Sequence, residues 1–237
     1  MDAPPAPTAT RGGGPRAVCL RYCAATAAVF LLLLALVAGR WGPLTDADRR
    51  IVVAFHSFGV LHPGWTRVNR VLSDAVWDPA TMRALLAVCL LWLVWRRAGR
   101  QALWLGVCGI LGWALQHAVK AAVGRPRPHW PDPLATASYA AFPSGHAMTA
   151  AIGCGALLWL FLLRCPRAGT PWRAAAWALA AVSVVGVGLT RIYLGVHWPS
   201  DVLGGWLLGA AVLTGTAALC EPWRTSAPRT PRGRRDA

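Results

Sequence analysis

The chain has 237 residues, 56% of them hydrophobic and only 14% charged, which is too apolar for an ordinary soluble domain of this length. Its formal charge of +15 comes from 23 arginines and a single lysine set against nine acids, a surplus that would suit nucleic acid were it not joined to apolar runs of membrane length. A polytopic membrane protein with no nucleic-acid partner is therefore the class to test, and the arginines are read as topology signals.

Residues 1–16 are rich in Pro, Ala and Gly and bury too little apolar surface to fold, so they are expected to form a disordered cytoplasmic tail. A membrane domain is expected over 17–221. Its first apolar run, 22–39, has an arginine-bearing flank like that of a signal peptide, but Ala38-Gly39-Arg40 is a poor cleavage site and five further apolar segments follow, so it reads as a transmembrane helix. In 40–78, Thr45-Asp46-Ala47-Asp48 resembles a helix start, while the apolar stretch 51–61 is too short to span. An interfacial or re-entrant helix fits, with His56 and His62 in structural or interfacial roles. The remaining spans are expected at 79–95, interrupted by Arg83, and at 102–123, 146–163, 174–189 and 202–220. Residues 222–237, rich in Arg, Pro and Thr, make a second disordered, basic tail. The expected fold is an all-α bundle of six transmembrane helices with no internal repeat. Its seven cysteines lack paired spacing and read as small buried residues.

Six spans put both termini on one side. The short loops 96–100 and 164–173 hold six arginines in fifteen residues and no acid, whereas 40–79 holds five arginines and four aspartates. By the positive-inside rule the short loops and both tails are cytoplasmic. The opposite, extracytoplasmic face then receives 124–145 and 190–201, which carry most of the remaining polar chemistry.

Three elements meet there. Lys120, the only lysine, ends the third span and is followed by Gly124-Arg125-Pro126-Arg127-Pro128; by itself it reads equally well as a snorkelling side chain. Pro143-Ser144-Gly145-His146 leads into the fourth span, where Ser144 can cap the helix and the first-turn N–H groups form an anion nest. Thr190-Arg191 precedes His197-Trp198-Pro199-Ser200-Asp201 at the mouth of the sixth span. If helix begins at Pro199, Asp201 reaches back to His197, although an aspartate at a helix start is also ordinary capping. Cations, two histidines and one carboxylate on one face suit phosphoryl transfer, and the lack of clustered carboxylates argues against a metal or other cofactor.

At these residues the chain resembles the type 2 phosphatidic acid phosphatase (PAP2) superfamily, in its bacterial membrane form. The family's signatures K-x6-R-P, P-S-G-H and S-R-x5-H-x3-D correspond to Lys120 through Pro128, Pro143 through His146 and Thr190 through Asp201, with Thr190 in place of the usual serine. The spacing selects Arg127 over Arg125. The resemblance implies a metal-independent membrane phosphatase in which His197 is the nucleophile that becomes phosphohistidine, Asp201 orients it, and His146 protonates the leaving group. It implies that Lys120, Arg127, Arg191, Ser144 and Gly145 hold the phosphoryl oxygens of a lipid phosphate or diphosphate, of the undecaprenyl diphosphate or phosphatidate type. His117 is read as a packed helix residue, and His129 with Trp130 as contacts for incoming substrate. Two rivals are a haloperoxidase that shares the anion pocket, disfavoured by the spans, and a lipid-phosphate binding or transport protein that releases no phosphate.

Overall fold

A computed structural model describes residues 14–220, which form eight α-helices and, among those residues, no strand. The expected tails lie outside the described residues at 1–13 and 221–237, while residues 15 and 16 already belong to the first helix. The helices are α1 (Pro15–Ala38), α2 (Gly42–Leu61), α3 (Pro63–Val71), α4 (Pro79–Trp95), α5 (Gly99–Val123), α6 (Gly145–Arg164), α7 (Thr170–Tyr193) and α8 (Pro199–Cys220). A π-helical turn, Leu72–Val76, joins α3 to α4.

Among the described residues, six segments are long and apolar enough to cross a bilayer: α1, the run Pro63–Trp95, α5, α6, α7 and Pro199–Leu219. Their outer surfaces stay apolar, with Trp113, Trp172 and Trp177 all exposed, as suits helices whose backbone polar groups are satisfied internally and whose side chains face lipid. Inside, Phe30, Trp104, Phe142, Met148 and Leu208 share one core, centred where α6 and α8 meet between α1 and α5.

Small residues allow that centre to form. A Cβ on Gly205 of α8 would lie 2.6 Å from the Ser144 carbonyl oxygen and 3.1 Å from the Met148 nitrogen, both backbone atoms that cannot swing aside. Glycine there lets α8 approach the first turn of α6 closely enough to couple their outer ends, the usual service of small residues between membrane helices.

The second span differs from its expectation at 79–95. The helical run starts at Pro63 and is broken before Pro79, where Asp78 accepts hydrogen bonds from Ala80 N (2.7 Å) and Thr81 N (3.2 Å). Proline at the first position and a carboxylate cap restart the helix there. The segment after α1 also differs in detail. The helix begins at Gly42 rather than Thr45, whose hydroxyl instead donates to Gly42 O at 2.9 Å within the first turn. Asp48 therefore sits inside α2, buried, instead of capping it. Helix α2 lies over the ends of α7 and α8, so the chain between the first two spans forms a wall beside the loops that follow α5 and α7.

Candidate active site

The loops 124–144 and 194–198 meet between the ends of α4, α5, α6 and α7 around an open cavity of about 870 Å³. Its lining includes Lys120, Arg127, Gly145, His146, Arg191 and His197, six of the eight residues selected from the sequence. The other two, Ser144 and Asp201, are fully buried behind the lining.

His197 occupies the turn between α7 and α8. Because α8 starts at Pro199, Asp201 lies one helical turn on, and its Oδ2 comes to 3.4 Å from His197 Nδ1. The opposite nitrogen, Nε2, lies 3.0 Å from Arg127 Nη1. A guanidinium has only N–H groups to offer, so Nε2 must accept, and the ring proton belongs on Nδ1, facing the carboxylate. Burial pushes the His197 pKa well below the usual histidine range; the positive charges of Arg127, Arg191 and Lys120 push it the same way, and a hydrogen bond to the Ala141 backbone opposes them. The imidazole is therefore neutral near pH 7, with its lone pair on the nitrogen turned away from Asp201.

The cavity's cations are held largely by neutral groups. Helix α5 ends at Gly124, whose φ of +56° suits a residue without a Cβ and turns the chain sharply enough to bring Arg127 to the cavity wall. Arg127 then donates to the carbonyls of Tyr139 (2.9 Å), Ser138 (3.0 Å) and Val196 (2.7 Å), and Lys120 Nζ donates to Ala140 O. Among the described residues, no carboxylate lies within ion-pair distance of Lys120 or Arg127. Burial lowers the Arg127 pKa, partly offset by the charge of Asp201. Arg191 donates to Ser73 Oγ at 2.8 Å and reaches the exposed Asp74 only at 3.6 Å. Its Nε is buried and has no hydrogen-bond partner among the described residues. Leaving such a donor unmet costs roughly 1–3 kcal/mol.

Ser144 caps α6 as expected from the sequence, its Oγ accepting from Ala147 N at 3.5 Å while its own N–H donates to Asp201 O at 2.9 Å. Its hydroxyl is thus committed to the helix and does not line the cavity. Among the described residues, the N–H groups of Gly145 and His146 have no backbone acceptor, which leaves the positive end of α6 open at a wall of the cavity. The His146 ring makes no hydrogen bond to another described residue, so both its nitrogens are available to a ligand.

Several lining residues were not anticipated. Arg83, read from the sequence as an interruption of a span, faces the cavity together with Asp74, Asp78 and Gln116. An ionisable residue within a membrane segment is itself a pointer to a site, and that signal was available at Arg83. His117, read as packed, is exposed and lines the cavity, its Nδ1 at 2.8 Å from Trp113 O. Trp130 does not line the cavity. It stacks on His56 at 3.8 Å between centroids and donates to Gly195 O at 2.8 Å, so this pair braces the His197 turn from outside. His129 is exposed and lies outside the lining.

Comparison with known proteins places this geometry. The profile of the PAP2 superfamily matches residues 101–224. A Sulfolobus acidocaldarius protein named undecaprenyl-diphosphatase is 28% identical over 195 residues, covering 76% of this chain and 84% of its own. A decaprenylphosphoryl-5-phosphoribose phosphatase of Mycolicibacterium smegmatis is 31% identical over 181 residues, covering 75% and 79%. The crystal structure of a transmembrane PAP2-type phosphatidylglycerolphosphate phosphatase from Bacillus subtilis superposes with a TM-score of 0.76 at 25% identity, covering 87% of this chain and 99% of that one.

Proposed function

Because the chain belongs to the PAP2 superfamily and is a multi-pass membrane protein, we propose that it is a lipid phosphate phosphatase working through a phosphohistidine on His197. The observation that carries this reading is the geometry at His197: Nδ1 3.4 Å from Asp201 Oδ2, with Nε2 on the other side of the ring beside Arg127 at the wall of a cation-lined cavity. In the first step Nε2 attacks phosphorus, an N–P bond forms as the bond to the lipid's bridging oxygen breaks, and His146 gives that oxygen a proton. In the second, water attacks phosphorus with His146 accepting its proton, the N–P bond breaks, and orthophosphate leaves.

Lys120, Arg127, Arg191 and the N–H of Gly145 neutralise the three equatorial oxygens through both steps, and Ser144 supports that N–H by fixing the start of α6. In this reading side-chain cations replace a metal, and turnover persists in chelator.

The substrate is a lipid phosphomonoester or diphosphate, of the undecaprenyl diphosphate or phosphatidate type. Support comes from a cavity that lies at the helix ends, where a headgroup sits, and from relatives whose names all specify lipid-linked phosphates. The arginine-rich loops 96–100 and 164–173 favour an extracytoplasmic site with both termini in the cytoplasm. The test is phosphate release by purified protein in detergent with chelator, across undecaprenyl diphosphate, phosphatidate and phosphatidylglycerol phosphate. Release from at least one is expected; none from any would leave a binding or transport protein instead.

A further inference from the structure

Arg125 and Arg127 are two residues apart in the same loop yet serve opposite sides of His197. Arg127 lines the cavity, whereas Arg125 does not. Arg125 Nη1 donates to Asp201 Oδ1 at 2.6 Å and to Ser200 Oγ at 2.7 Å, and its Nη2 donates to Asp48 Oδ2 at 2.8 Å. Asp48, on α2, accepts from Ser200 N at 2.9 Å through Oδ1 and from Ser200 Oγ through Oδ2. The guanidinium also lies over the Trp198 ring, 5.6 Å from its centroid. Both carboxylates are buried, at 3% and 0% side-chain exposure, and Arg125 is the cation paired with both.

The bonds at Asp201 show what this achieves. Its Oδ1 is bound by Arg125 and its Oδ2 by Trp198 N at 2.9 Å, which leaves the remaining capacity of Oδ2 for His197 Nδ1 at 3.4 Å. Without Arg125, Oδ1 loses its donor, and the Trp198 N–H on Oδ2 is left as the single bond that resists rotation of the carboxylate beneath the imidazole. Asp48 fixes Arg125 in turn, through a bond that joins α2 to the loop after α5, and its bonds to Ser200 tie the same carboxylate to the start of α8.

We propose that Arg125, held by Asp48, is a positioning residue that sets the orientation of Asp201 and, through it and alongside the Arg127 donor at Nε2, the tautomer of His197. Arg125 touches no phosphoryl oxygen in this assignment. It acts at one remove, as the carboxylate does for a catalytic histidine in other hydrolases. The assignment gives α2 a part in the chemistry: it supplies the residue that locks the back of the nucleophile. It rests on the proposed role of His197, and the experiment separates the two.

The first measurement needs no turnover. In protein carrying [¹⁵N]histidine in detergent micelles, with the His197 signal assigned by its loss in His197→Asn, the wild type is expected to show Nδ1 protonated and Nε2 bare. Arg125→Met and Asp48→Asn are expected to shift His197 towards a mixture of tautomers, and an unchanged signal in a folded Arg125→Met protein overturns the proposal. The second measurement is kinetic, on the best lipid phosphate from the release screen. Arg125→Met should lower kcat by about 10²-fold with KM within about twofold, and Arg125→Lys should recover part of the loss. The double variant Arg125→Met/Asp201→Asn should be no slower than Asp201→Asn alone, because the two act as one unit. A raised KM with unchanged kcat, or additive losses in the double variant, overturns the proposal by making Arg125 an independent phosphate ligand. Should Arg125→Met fail to fold, Arg125→Lys and Asp48→Asn carry both measurements. A wild type that shows the expected tautomer but releases no phosphate sinks the phosphatase reading and leaves the positioning role standing.

Discussion

The two sides of the His197 turn use the same residue types to opposite ends. Behind the turn, Arg125 is shared between Asp48 and Asp201, and each carboxylate oxygen has a donor within hydrogen-bond reach or close to it. On the cavity side, Lys120 and Arg127 meet carbonyls, and Arg191 keeps a buried N–H without a partner among the described residues. A carbonyl orients a cation without cancelling its charge. The closed side therefore stores rigidity, while the open side keeps positive potential that only an anionic ligand neutralises.

The contrast is broken most directly on the open side. Replacing Arg191 with alanine should lower kcat/KM by about 10²–10³-fold, equivalent to roughly 2.7–4 kcal/mol of transition-state stabilisation. Phosphate-release kinetics check it, and a loss below threefold would mean that Arg191 does not hold a substrate oxygen.

A second, smaller effect comes from His197. Its folded-state pKa lies below the value of about 6.5 that the unfolded chain regains, so below that pH the unfolded state binds more protons than the folded one. The stability linked to this group is fully present above about pH 6.5 and is lost as pH falls further, with a slope of up to about 1.4 kcal/mol per pH unit. Thermal unfolding in detergent between pH 7.5 and 5.5 should accordingly show a steeper loss for the wild type than for His197→Asn. Parallel slopes would contradict a neutral, buried nucleophile.

The smallest effect separates a cap from a ligand. Ser144→Ala removes the acceptor for Ala147 N and should cost about 1 kcal/mol of stability while leaving kcat within a few-fold, since the hydroxyl lies behind the lining. A large fall in kcat at unchanged stability would return Ser144 to direct phosphate contact.

These two sides were unequally legible in the sequence. The six spans could be read because membrane helices advertise themselves by length and hydropathy, although the second begins at Pro63 rather than residue 79 because α3 and a π-turn precede the Asp78 cap. The open side was legible because its residues cluster at three helix ends, each with a local signature. The closed side was not. Asp48 meets Ser200 across 152 residues of chain, and an aspartate early in a helix looks the same in sequence whether it caps or is buried. Arg125 was passed over for the same reason, because spacing can rank two arginines for one role but cannot show that the second has a role of its own. The stacking of His56 on Trp130 likewise exists only once α2 has folded over the loop.

The central claim is that His197 Nε2 is the atom that takes the phosphoryl group. Its most direct test is an alkaline rapid-quench of purified protein turning over a ³²P-labelled lipid phosphate, followed by peptide mapping. The account predicts an acid-labile, alkali-stable label on the peptide containing His197, absent from His197→Ala, whose turnover falls at least about 10³-fold. Near-normal turnover in that variant, or label on any other residue, would contradict it.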